Sequence, residues 1–88
     1  MLIDVTYFAQ AMVATGCAHE QVEASTLGEL LRAIHERHGS AVDELICDEH
    51  GALVPWIVVD LNGEAVGSPE QSLANGDSVR FLSPISGG

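Results

Sequence analysis

The 88-residue chain ends Ser86-Gly87-Gly88, directly after a strand-like run, Val79-Arg80-Phe81-Leu82. A terminal residue carries an α-carboxylate, and two glycines leave no side chain beside it to block approach. That carboxyl has a pKa near ~3.5, so it is an anion at neutral pH. A carboxylate is a poor electrophile and must be activated before a nucleophile can attack it. The functional reading makes the Gly88 carboxylate the reactive group, presented on a thin stalk. The plain alternative is a frayed end or a cloning remnant.

Other reactive side chains are sparse. Cys17 and Cys47 stand 30 residues apart, outside any Cys-x-x-Cys pattern and with no activating histidine beside them in sequence. They read as two reduced, partly buried thiols. Two cysteines also exclude a four-cysteine iron–sulfur cluster. His35 and His38 lie three apart on an expected helix, but zinc wants two further ligands. Both are read as surface residues, and no metal site is expected. Asp48, Glu49 and His50 read as a solvated turn. Trp56 is placed in the core. Arg80 projects opposite Val79 and Phe81, within reach of a partner protein or of an acidic neighbour such as Asp60.

Composition narrows the class. The chain carries 13 acidic and 3 basic residues, a formal charge of -10, and 47% of it is hydrophobic. Such a surface repels phosphate backbones, which argues against nucleic acid. It is drawn instead toward basic patches on proteins, an attraction that salt weakens. No lysine is present; the cations are Arg32, Arg37 and Arg80. The chain therefore offers no ε-amine for lysine-linked chains of itself. No apolar run approaches the ~18 residues of a membrane helix, and Met1-Leu2-Ile3-Asp4 lacks the basic start of a signal peptide. The expectation is a cytoplasmic protein without a membrane partner.

The elements that must position the C-terminus read as follows. Leu2 to Ala14 alternates as a strand, with Ile3, Val5 and Tyr7 on one face. Thr15-Gly16 is a turn, and Ala18 to Ala24 a weaker return strand. Thr26 and Glu29 have capping-box spacing, and Leu27, Leu30, Leu31 and Ile34 form one helical stripe. Gly39 fits just past the helix end. Ser40 to Ile46 reads as a further short helical turn. Val54 to Leu61 is the strongest strand, expected to be central, with Pro55 at its start. Asn62-Gly63 predicts a hairpin turn into Glu64-Ala65-Val66. Ser78 to Leu82 is the final strand, with Val79 and Phe81 facing the core, and Pro84 ends it. The fold class is α+β, a mixed sheet curled around one main helix in ββαββ order with a small extra strand. Residues 1–82 form the domain and 83–88 a flexible tail.

These residues resemble a known family. The hairpin Val59-Asp60-Leu61-Asn62-Gly63-Glu64, the run Leu73-Ala74-Asn75-Gly76-Asp77-Ser78-Val79 and the tail Phe81-Leu82-Ser83-Pro84-Ile85-Ser86-Gly87-Gly88 look like the ubiquitin-like sulfur carriers. These β-grasp proteins include the small subunit of molybdopterin synthase (MoaD) and the thiamin sulfur carrier (ThiS). The resemblance spans nearly the whole chain and is most specific in the last sixteen residues.

It implies that an ATP-dependent adenylyltransferase joins AMP to the Gly88 carboxylate. A persulfide or sulfide from a sulfurtransferase then displaces AMP and leaves a thiocarboxylate. ATP is consumed by the activating enzyme, and the carrier holds no permanent cofactor. Gly87 and Gly88 pass through a narrow channel, Pro84 directs the exit, and Phe81, Pro84, Ile85 and Ser86 contact partners. For Phe81 the alternative is core packing. The carrier is a cosubstrate rather than an enzyme. Its implied acceptor is an enzyme such as the molybdopterin synthase large subunit.

Two departures blur the pathway. Ser83 stands where the molybdopterin carriers often have a proline, and Cys47 to Trp56 is longer than the shortest carriers need. Thiamin, cysteine, tRNA and secondary-metabolite sulfur remain open acceptors, as does a role as a protein modifier.

Overall fold

The structure is a computed structural model that describes residues 1–48 and 50–83. The elements in chain order are β1 (Leu2–Thr6), α1 (Ala9–Thr15), β2 (His19–Glu23), α2 (Leu27–His38), a 3-10 turn (Gly39–Val42), β3 (Val58–Leu61), β4 (Glu64–Val66) and β5 (Ser78–Leu82). The five strands form one mixed sheet in the order β2-β1-β5-β3-β4. Only β1 and β5 run parallel, with Val5 opposite Val79.

Strand alternation and the α2 stripe build the core together. Ile3, Val5, Val22, Val59, Val79 and Phe81 point from one face of the sheet, and Leu27, Leu30, Leu31 and Ile34 of α2 are buried in the same cluster. The α2 start is capped as expected: Thr26 Oγ1 accepts the Glu29 N–H at 3.2 Å. The return bond from Glu29 goes one residue further back, to the Ser25 N–H, at 2.9 Å. At the other end, Gly39 takes φ +61, and its N–H donates to the His35 carbonyl.

The expected strand over Leu2–Ala14 is wrong beyond Thr6. Residues Ala9–Thr15 are helix α1, a short second helix in addition to the main helix α2. Three of its seven residues are alanine, the best helix former, and only Ala11 is buried. Gly16 is the left-handed end of α1 rather than a hairpin turn, with φ +80 and its N–H on the Met12 carbonyl. The antiparallel pairing of the two strands survives, from Leu2↔Glu23 to Thr6↔His19.

The Val54–Leu61 strand is also shorter than expected. Pro55 and Trp56 lie in a turn closed by the Ile57 N–H on the Val54 carbonyl, and pairing begins only at Val58. Proline has no N–H to donate to a ladder. The central strand is β5, not β3. The helical turn expected over Ser40–Ile46 ends at Val42, where Asp43 becomes extended and Glu44 adopts φ +66. The Asn62-Gly63 turn is as expected. Both residues have positive φ, +51 and +95, as a two-residue type I′ hairpin requires.

Candidate functional site

Strand β5 carries the chain toward its C-terminus, and it is held on both sides. β1 pairs along its first half, through Asp4↔Ser78 to Thr6↔Arg80, and β3 along its length, through Leu61↔Val79 to Val58↔Leu82. Ser83 is still buried, at 8% exposure. The backbone is therefore anchored by paired strands up to Leu82, one residue before the last described one. Pro84, Ile85, Ser86, Gly87 and Gly88, the sequence-predicted contacts and reactive terminus, lie outside the described residues.

Phe81 is described, and it is a core residue. Its side chain has 0% exposure, and its ring stacks on that of Tyr7. The partner-contact role expected for Phe81 does not fit this placement, because alternation along β5 turns it inward. Its neighbour Leu82 points the other way, at 37% exposure, directly across from Val58 at 40%. These two residues form an apolar cross-strand pair on the open face of the sheet beside the chain's exit. The signal was present in the same alternation that buried Val59 and Phe81. On this face the Arg80 Nε donates to Asp60 Oδ2 at 3.4 Å, one of the two contacts that the sequence left open for it. Trp56, expected in the core, is 43% exposed because the Pro55 turn carries it out of the strand.

A second constellation was not legible along the chain. Glu20 of β2 lies under the last turn of α2 and beside the end of β1. Its carboxylate accepts from the Tyr7 hydroxyl. Arg37 Nη1 donates to Oε1 at 2.7 Å, and His38 Nε2 lies 2.6 Å from Oε2. Burial alone pushes the Glu20 carboxyl up. The bonds from Tyr7, Arg37 and His38 outweigh it and hold the pKa at about 2. The Tyr7 hydroxyl is pushed up by burial first, then by its bond to Glu20 and that residue's charge.

His38 is thus not the surface residue expected; its side chain is 12% exposed. The Cys17 sulfur, Glu20 carboxylate and His38 ring nitrogen lie within 4.8 Å of one another. His35 points elsewhere, with Nε2 2.9 Å from Asp43 Oδ1.

Both cysteines are free. Cys47 is wholly buried, and burial, with the charges of Asp43 and Asp48, raises its thiol pKa. That environment suits a packed thiol rather than a nucleophile. Asp48 closes the loop before β3 by accepting the backbone N–H groups of His50 and Ala52, while Glu49 lies outside the described residues. Among the described residues, no helix is long and apolar enough to cross a membrane.

A five-stranded mixed sheet with β5 between β1 and β3, packed on α2, is the ubiquitin-like β-grasp architecture. The chain belongs to the ThiS family, whose sequence model matches residues 5–88; it is a family of ubiquitin-like sulfur carriers.

The fold is similar to that of SAMP1 from Haloferax volcanii, at 27% identity and TM-score 0.84, over 100% of both chains. It is also similar to the structure of the Amycolatopsis orientalis BexX/CysO complex, at 23% identity and TM-score 0.79, covering 98% of this chain and 99% of that one. A third likeness is to the complex of subunits 1 and 2 of the molybdopterin-converting factor from Helicobacter pylori, at 24% identity and TM-score 0.65, over 100% of both chains. The last two likenesses are of fold. No curated protein matches the chain.

Proposed function

We propose that this chain donates sulfur through a thiocarboxylate on Gly88, and that its acceptor is the large subunit of a molybdopterin synthase. The observation that carries the reading is that the family match runs through to residue 88, while paired strands hold the chain as far as Leu82 and Ser83 after it is buried. An adenylyltransferase attacks ATP with the carboxylate, releasing pyrophosphate and forming an acyl adenylate. A persulfide sulfur then adds to that carbonyl and AMP leaves. Reduction of the resulting acyl disulfide by a second thiol frees the thiocarboxylate. The chain itself supplies the carboxylate and the paired strand β5 that precedes the tail, and ATP stays with the activating enzyme.

In this reading Pro84, Ile85 and Ser86 contact the partners, joined by the Leu82–Val58 pair. The chain works in the cytoplasm. The Helicobacter pylori complex of the two converting-factor subunits supports an acceptor of this kind. The BexX/CysO complex keeps other acceptors in view.

A second reading, conjugation of Gly88 to target lysines, is favoured by the full-length likeness to SAMP1, a small archaeal modifier protein. Intact-mass analysis of the chain from its native host separates the two. A gain equal to the mass difference between sulfur and oxygen is expected for a thiocarboxylate, and large covalent adducts for conjugation. A chain lacking Gly87 and Gly88 that still supports its pathway would overturn both.

A further inference from the structure

We propose that Cys17, Glu20 and His38 form a binding site for one divalent zinc ion. The three come from separate elements: the loop before β2, β2 itself, and the last turn of α2. Their candidate donor atoms, a thiol sulfur, a carboxylate oxygen and an imidazole nitrogen, lie within 4.8 Å of one another. All three residues are partly buried, and the Glu20 and His38 side chains are 13% and 12% exposed. The site is thus shielded yet open to solution. Among the described residues, it is the one group of three such donors.

The donor set favours zinc. Thiolate, imidazole and carboxylate are its usual ligands, at bonds of about 2.0–2.3 Å, and three protein ligands leave a fourth tetrahedral position for water. The present 2.6 Å between His38 Nε2 and Glu20 Oε2 is a hydrogen-bond distance. Two donors on one tetrahedral ion sit about 3.3 Å apart, so the side chains must part by about 0.7 Å. The ion then takes the place of the proton these atoms share. Cys17 loses its thiol proton to solvent on binding, and His38 binds through the Nε2 lone pair with its proton on Nδ1.

The surroundings are already arranged as an outer shell. Arg37 holds Glu20 Oε1, and the Tyr7 hydroxyl donates to Oε2. Both fix the orientation of a ligating carboxylate. A chain of formal charge -10 also concentrates cations at its surface. Along the sequence, His35 and His38 alone fall short of a zinc ligand set. The fold supplies His38 with further ligands from β2 and the loop before it.

The test uses the full-length chain and is independent of Gly88. Dialysis against Zn2+ should leave one equivalent bound. Replacement by Co2+ should give a thiolate-to-cobalt charge-transfer absorption. Cys17→Ser should abolish that absorption, and both Cys17→Ser and His38→Gln should weaken Zn2+ binding more than the roughly 10–100-fold typical of losing an outer-shell partner. Circular dichroism checks that each variant is folded. The cadmium NMR shift of the unmodified chain needs no variant and should report sulfur coordination. Failure to retain stoichiometric zinc, a cobalt spectrum unchanged in Cys17→Ser, or a cadmium shift typical of oxygen and nitrogen donors alone would overturn the proposal.

Discussion

The Tyr7 ring stacks on the Phe81 ring with centroids 6.2 Å apart and planes within 13°. Tyr7 also presents its edge to His38, at 6.1 Å and 87°. One side chain therefore joins the strand that leads to the C-terminus to the polar group beneath α2. Aromatic pairs of this kind add stability beyond the area they bury.

The stack and the alternation of β5 make adjacent residues behave differently. Phe81→Ala should cost about 3–5 kcal/mol of stability, the range for emptying a buried phenylalanine site. Leu82→Ala, on the open face, should cost less than about 1 kcal/mol and instead weaken binding to the proposed activating enzyme. Urea unfolding and a binding titration on both variants check this. Equal destabilisation by the two would mean that the inward and outward faces are misassigned.

Tyr7 and Glu20 should be energetically coupled, because removing either leaves the other's buried polar atom short of a partner. A double-mutant cycle with Tyr7→Phe and Glu20→Ala should show a coupling of about 1–3 kcal/mol. Additive effects would show that the bond contributes nothing of its own.

Asp77 makes the junction before β5 sensitive to acid. Its Oδ2 accepts the Ala74 N–H at 2.7 Å and its Oδ1 accepts Asn62 Nδ2 at 3.0 Å. The Ala74 bond first, then the Asn62 bond, holds the carboxyl below its ordinary 3.8. A depressed folded-state pKa adds stability above the unfolded value, and that stability is lost as pH falls through the folded one. Stability measured downward from pH 4 should therefore fall less steeply in Asp77→Asn than in the parent. Identical slopes would remove Asp77 from the acid response.

The β3–β4 turn gives a local check on backbone conformation. Gly63 has φ +95, whereas Gly67 has no such constraint and open space around its Cα. Gly63→Ala should destabilise by about 1 kcal/mol, and Gly67→Ala by no more than about 0.5 kcal/mol. Thermal unfolding of the pair is the measurement. Equal effects would contradict the left-handed turn.

Partner binding should depend on salt. With a charge of -10, association with the proposed activating enzyme is expected to slow and weaken as ionic strength rises, chiefly through the on-rate. Association rates unchanged between low and high salt would leave apolar contacts such as Leu82 and Val58 to carry recognition.

Much of this protein follows from local sequence. The Thr26 cap, the Leu27–Ile34 stripe, the Asn62-Gly63 hairpin and the inward set of Ile3, Val5, Val79 and Phe81 rest on short-range rules that the fold leaves intact. The resemblance in the last sixteen residues pointed to the family for the same reason, since a motif in continuous sequence survives without coordinates. Helix α1 was missed because Val5, Tyr7 and their neighbours continue an alternating pattern into an alanine-rich stretch. Helix propensity takes over only where β2 must return to pair with β1.

Tertiary structure decided the rest. It made β5 rather than β3 the central strand, turned Trp56 outward, and separated Phe81 from Leu82 as core and surface. It also gathered Tyr7, Cys17, Glu20, Arg37 and His38 from residues up to 31 positions apart. Periodicity shows which face a residue occupies on its own element. Only the pairing of β1 with β2, and the packing of α2 across them, sets which faces meet.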